Sequence, residues 1–191
     1  MTPEEILDQL KQRFADAITE SEVRGVEVRL TIKPEAAWEA CRFLCDTGFD
    51  YLNCLSGADW QTHLEVVYDV SSLRHPNKVH LRVPLDRGAP VVRTVSAIWQ
   101  AANWHERECF DLFGVRFDAH PDLRRILLPE DWVGYPLRKD YTDERLVPYT
   151  DYGMEEKLGR AEGEKAAPKA AAAPKPPPAA KPSVPPKPEE A

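Results

Sequence analysis

The chain has no CxxC pair, no apolar run long enough to cross a bilayer, no glycine-rich phosphate loop and no surplus of basic charge. Each absence removes a class of function. The four cysteines, Cys41, Cys45, Cys54 and Cys109, are scattered. Iron–sulfur clusters usually take thiolates from tight runs, and structural zinc wants paired knuckles, so neither is expected, and the pattern suits a reducing compartment. No window approaches about eighteen apolar residues, so nothing is expected to span a membrane. The opening MTPEEILDQLKQRF carries acids and no apolar core, unlike a secretory leader. Neither GxGxxG nor GxxxxGK occurs; LSGADW holds a single glycine, and its Ser56 lacks the flanking glycines of a nucleophile elbow.

Charge and tail composition narrow the choice further. The net charge is -7, and residues 154–191 hold nine of the eighteen prolines, ten alanines and no aromatic residue. Such a segment buries too little apolar surface to offset roughly 1–2 kcal/mol of backbone entropy per ordered residue, so it is expected to be disordered. It carries 7 basic and 6 acidic groups, leaving residues 1–153 at a net -8. An acidic body argues against nucleic acid, whose phosphates need a basic face.

What is present reads as a small α+β domain. Thr2-Pro3-Glu4-Glu5 has the form of a capping box, with Ile6, Leu7, Leu10 and Phe14 on one face of a helix of about twelve residues. In VEVRLTIK the apolar residues Val26, Val28, Leu30 and Ile32 alternate with polar ones, the period of a half-buried strand. Pro34 opens a second helix that Gly48 ends. FDYLNCL, HLEVVYDV and VHLRVPL are strand candidates, the last two joined as an antiparallel hairpin through SSLRHPN. A long helix is expected over residues 94–114, ended by Gly114. The sum is a two-layer domain over residues 1–117, with helices on one face of a mostly antiparallel or mixed sheet. Past Phe117, Pro121, Pro129, Pro136 and Pro148 interrupt the chain, so residues 118–153 are expected to form an extended arm lying on the parent domain or a partner.

Residues 103–141 crowd charges, aromatics and prolines together. One reading is a metal or acid–base site using His105, Glu106, Glu108, Asp111 and His120, with Glu108 and Asp111 three apart on a helix face. A second Glu-x-x-His helix is missing, and Arg107 stands four residues from Asp111, placed to neutralise it. A docking reading explains more. Arg124, Arg125, Arg138 and Lys139 alternate with Glu130, Asp131 and Asp140, separated by Leu127, Leu128, Trp132, Tyr135 and Leu137, the residue types that anchor protein interfaces. An arm folded over its own domain would use the same residues.

The segment resembles a known family, the thirty-kilodalton subunit of respiratory complex I, the proton-translocating NADH-quinone oxidoreductase. The resemblance rests on Glu106-Arg107-Glu108, Asp111, Leu112-Phe113, Gly114, His120-Pro121, Arg124-Arg125 and Ile126-Leu127, followed by EDWVGYPLRKDY, which contains Trp132, Pro136, Arg138, Lys139, Asp140 and Tyr141. Thr142 departs from the proline common at that place in the family. The resemblance implies an α/β fold of helix, two strands, helix and three strands, the missing strand falling in AITESEV. It also implies a non-catalytic subunit without cofactor, with NADH, FMN, iron–sulfur clusters and quinone bound by partner subunits. It would dock on the hydrogenase-like quinone-site subunit and adjacent iron–sulfur subunits, at the cytoplasmic side of a bacterial plasma membrane, reached only through partners. An equivalent subunit of a membrane-bound hydrogenase or other quinone- or ferredoxin-linked dehydrogenase is the nearest alternative; a free-standing metal enzyme is the alternative of another class.

Overall fold

A computed structural model describes residues 1–143. Helix α1 (Pro3–Phe14) starts at the expected capping box: the Thr2 hydroxyl accepts the Glu5 N–H, and the Glu5 carboxylate accepts the Thr2 N–H. Such a cap stabilises a helix by about 1 kcal/mol. Strands β1 (Ile18–Arg24) and β2 (Glu27–Ile32) follow as an antiparallel pair, β1 lying in AITESEV. Helix α2 (Pro34–Asp46) ends at Gly48, whose φ of 101° allows the Gly48 and Phe49 N–H groups to donate back to the Cys45 and Leu44 carbonyls.

Strands β3 (Tyr51–Asp59), β4 (Leu64–Ser71) and β5 (Lys78–Leu85) complete a five-stranded sheet of order β1-β2-β5-β4-β3. Only the β2–β5 pair is parallel, so the sheet is mixed. Register puts Val28, Val79 and Val70, and likewise Leu30, Leu81 and Tyr68, in rows on one face, all buried. The helices pack there. The rows between them, Arg29 with His80 and Asp69, form the polar face. Val26, which the alternation placed with the core, lies one residue before β2 and is exposed. Burying a Leu or Val side chain stabilises by about 1.5–3 kcal/mol, and this single face carries most of that burial.

The expected helix over 94–114 is a shorter helix, α3 (Ala102–Phe113), preceded by separate turns. The cause is the Glu106 side chain, which reaches back to take the Val95 N–H and the Thr94 hydroxyl, holding that strand exit out of the helix axis. Two short strands not expected, β6 (Val91–Arg93) and β7 (Arg116–Asp118), pair in parallel on either side of α3 in sequence. Phe113 of α3 presses on β3 so closely that a Cβ on Gly57 would lie 2.7 Å from its ring. After β7 the described chain forms no helix or strand. The tail at 154–191 and the end of the arm beyond 143 lie outside the described residues.

Candidate functional site

Helix α3 and the stretch after β7 carry the signature residues, and Asp111 ties them together. Its side chain is buried, and one oxygen, Oδ2, accepts three successive backbone N–H groups, from Ile126 at 3.0 Å, Leu127 at 2.7 Å and Leu128 at 2.9 Å. The other oxygen accepts Arg125 Nη1 at 2.7 Å. Burial pushes the Asp111 carboxyl up, but these donors outweigh it and leave the group below its ordinary value. The neutralising cation is therefore Arg125, fourteen residues on, and not Arg107 at i+4. Arg107 instead stacks over Trp104 and donates to the Arg124 carbonyl at 3.3 Å.

Arg125 continues as a staple, its Nη2 donating to the Trp132 carbonyl at 3.0 Å. Tyr135 lies between the Arg125 and Arg138 guanidinium groups, 5.7 and 4.9 Å from its ring centre. Arg138 Nε donates to the Phe113 carbonyl at 2.7 Å, so the arm supplies the donor that the end of α3 lacks. Gly114 is needed twice there. Its φ of 74° is left-handed, and a Cβ would meet the Tyr135 ring at 2.5 Å.

A second clip lies at the end of β3. Asp59 accepts the Lys139 N–H and Arg87 Nη2 on one oxygen and the Gln61 N–H on the other. Burial opposes ionisation, yet these three donors hold the carboxyl at about 2. Arg87 also reaches Asp140 at 2.7 Å, and Lys139 sits over the Trp60 ring. The Tyr141 hydroxyl lies 2.9 Å from the Asp143 carboxylate and 3.3 Å from the Val133 carbonyl. Asp59, Trp60 and Arg87 were not among the expected residues, because nothing in spacing links residue 59 to residue 139.

Arg125 and Arg138 thus direct their guanidinium groups into their own chain. Large apolar side chains face outward among the charged ones: Val133 is 80% exposed, Leu127 62% and Leu137 51%, with Trp60 at 53% on the neighbouring turn, while Arg124, Glu130, Asp131, Lys139 and Asp140 are exposed as well. Among the described residues, Arg124 pairs with Asp122 at the surface.

The proposed metal-type residues are dispersed. Glu106 and His120 meet at 3.6 Å in a buried pocket with Thr94, while Asp111 is taken by the arm and Glu108 is exposed. Among the described residues no group of three His, Cys, Asp or Glu side chains is placed to hold a metal ion, and no helix is long and apolar enough to cross a membrane. Burial raises Glu106 to about 7 against the bonds from Thr94 and Val95, and burial lowers His120.

Comparison with known proteins places this arrangement. Residues 30–145 match the family model described as the respiratory-chain NADH dehydrogenase 30 Kd subunit. An NADH-quinone oxidoreductase subunit of Chloroherpeton thalassium, the one lettered C, is 39% identical over 151 residues, covering 73% of this chain and 63% of that protein. The subunit of the same letter in the F(420)H(2) dehydrogenase of Methanosarcina mazei is 36% identical, covering 71% of this chain and 89% of that one. Among solved structures, a trypsin-resistant fragment of Nqo5 superposes with a TM-score of 0.56 at 27% identity, covering 64% of this chain and all of the fragment.

Proposed function

The chain belongs to the family of the respiratory-chain NADH dehydrogenase 30 Kd subunit, and from that premise we propose that it is a non-catalytic docking subunit of a complex I-type oxidoreductase. Its partner is the hydrogenase-like subunit that forms the quinone site, with iron–sulfur subunits adjacent. NADH, FMN, clusters and quinone bind in those partners, and the chain works at the cytoplasmic side of a bacterial plasma membrane without entering it. Its contribution to electron transfer is to hold the redox subunits in register.

One observation carries this reading: three exposed apolar side chains stand on backbone that is already fixed. Leu127 donates its N–H to Asp111, Leu137 donates its own to the Leu112 carbonyl, and Val133 stands between the Trp132 and Gly134 carbonyls, which both accept from Arg125. A prepaid backbone lets apolar contact convert to affinity without a further ordering cost. Exposed apolar groups inside a charged rim are the usual composition of a docking surface.

The relative in an F(420)H(2) dehydrogenase favours a second reading, in which the same module serves a different electron donor. Purification of the tagged chain from solubilised membranes tests both. NADH- and FMN-binding subunits in the purified assembly, with NADH oxidation, support the first; their replacement by another donor-binding subunit supports the second. Recovery of the chain alone would overturn the docking role.

A further inference from the structure

Glu106 takes no part in the clips that hold the arm. Its side chain is fully buried, and the neutral His120 ring stands beside it, its buried Nε2 3.6 Å away. Oε1 accepts the Val95 N–H at 2.7 Å, and Oε2 lies 2.5 Å from Thr94 Oγ1. Thr94 Oγ1 is in turn 2.8 Å from Ser96 Oγ and accepts the Ser96 N–H. Thr94 and Ser96 line an open cavity of about 650 Å³, walled by Gln100, Asn103, Trp104 and Pro121. A continuous row of hydroxyls therefore runs from the cavity to the buried carboxyl.

Among the described residues, no permanently charged cation stands against that carboxyl. Cys41 of α2, Tyr68 of β4 and Cys109 of α3 face it, and burial holds all three above their ordinary values, hence neutral. Arg107 and Asp122 face His120. His120 Nδ1 accepts the Asp122 N–H at 3.0 Å, which places the ring proton on Nε2, toward the Asn103 carbonyl and Glu106.

We propose that Ser96, Thr94 and Glu106 form a buried proton site, beside the neutral His120 ring, that exchanges one proton with the cavity. When loaded, the Glu106 O–H donates to Thr94 Oγ1, and Thr94 donates to Ser96. On unloading, the Glu106 O–H bond breaks as Thr94 takes the proton; Thr94 passes its own to Ser96, and Ser96 passes one to solvent, leaving a carboxylate. No electron moves. The site stands apart from the docking reading and survives its failure. The rise of Glu106 to about 7 agrees with exchange near neutrality.

The test is nuclear magnetic resonance on the full chain, with carbon-13 in glutamate carboxyls and nitrogen-15 in histidine, Glu106→Gln assigning the signal. The Glu106 carboxyl is expected to titrate near neutrality, with His120 as the Nε2–H tautomer, and Ser96→Ala to slow its exchange about tenfold, the worth of roughly one hydrogen bond. A Glu106 midpoint among the ordinary carboxylates, an Nδ1–H tautomer, or unchanged exchange in Ser96→Ala would each overturn the proposal. The first two are read on the unaltered protein and hold even if Ser96→Ala fails to fold.

Discussion

Glu106 and Asp111 lie five residues apart on one helix, both with wholly buried side chains, and their chemistry runs in opposite directions. Asp111 receives three backbone N–H groups and a guanidinium and is held ionised; Glu106 receives one N–H and one hydroxyl, beside a neutral imidazole, and is pushed toward its protonated form. Burial alone therefore does not decide the state of a carboxylate. The count and charge of its donors do, and the arm supplies nearly all of those at Asp111.

The largest break in this contrast is Asp111→Ala. It strips the countercharge from Arg125 and the acceptor from three N–H groups, and is expected to cost about 3–5 kcal/mol. Denaturant unfolding measures it, and hydrogen exchange should show faster amide exchange at residues 126–128. Next is Glu106→Gln, which removes the opposite response. Because the folded chain holds the Glu106 proton more tightly than the unfolded chain, this group's contribution is fully present below its ordinary value of 4.5 and lost as pH rises to about 7. Glutamine keeps a donor for Thr94 without the charge, so above neutrality the variant should be more stable by up to about 3 kcal/mol, with no gain in acid. Asp111 runs the other way: its lowered pKa stabilises at neutral pH, and that contribution disappears as pH falls through the folded value. Gly114→Ala should cost about 1–3 kcal/mol, by left-handed strain and displacement of Tyr135, read as a drop in thermal midpoint. Leu127→Asp with Val133→Asp should change stability by less than about 0.5 kcal/mol, because both side chains face solvent in the free chain.

The same contrast separates what the sequence could disclose from what it could not. Local signals were legible: the Thr2–Glu5 box, the alternation at Val28, Leu30 and Ile32, and the hairpin of β4 and β5 all depend on neighbours in sequence. The beginning of α3 was not, because the Glu106 side chain, eleven residues away, claims the Val95 N–H. The partner of Asp111 was likewise hidden. Helical spacing nominates Arg107, whereas the fold returns Arg125 through a loop whose path no periodicity encodes. Residue types in the signature told that charge and aromatic anchors mattered, but not that Arg125 and Arg138 would turn inward while Leu127 and Val133 stand outside. That distinction arises only once the arm lies on α3.

If the exposed apolar side chains of the arm bind a neighbouring redox subunit, as proposed, charging two of them should release it. Quantitative recovery of partner subunits with the tagged Leu127→Asp/Val133→Asp chain from solubilised membranes tests it most directly, provided the free variant unfolds with the wild-type midpoint. The variant is expected to fold normally and lose most of its partners; full recovery of the partners would refute the docking role.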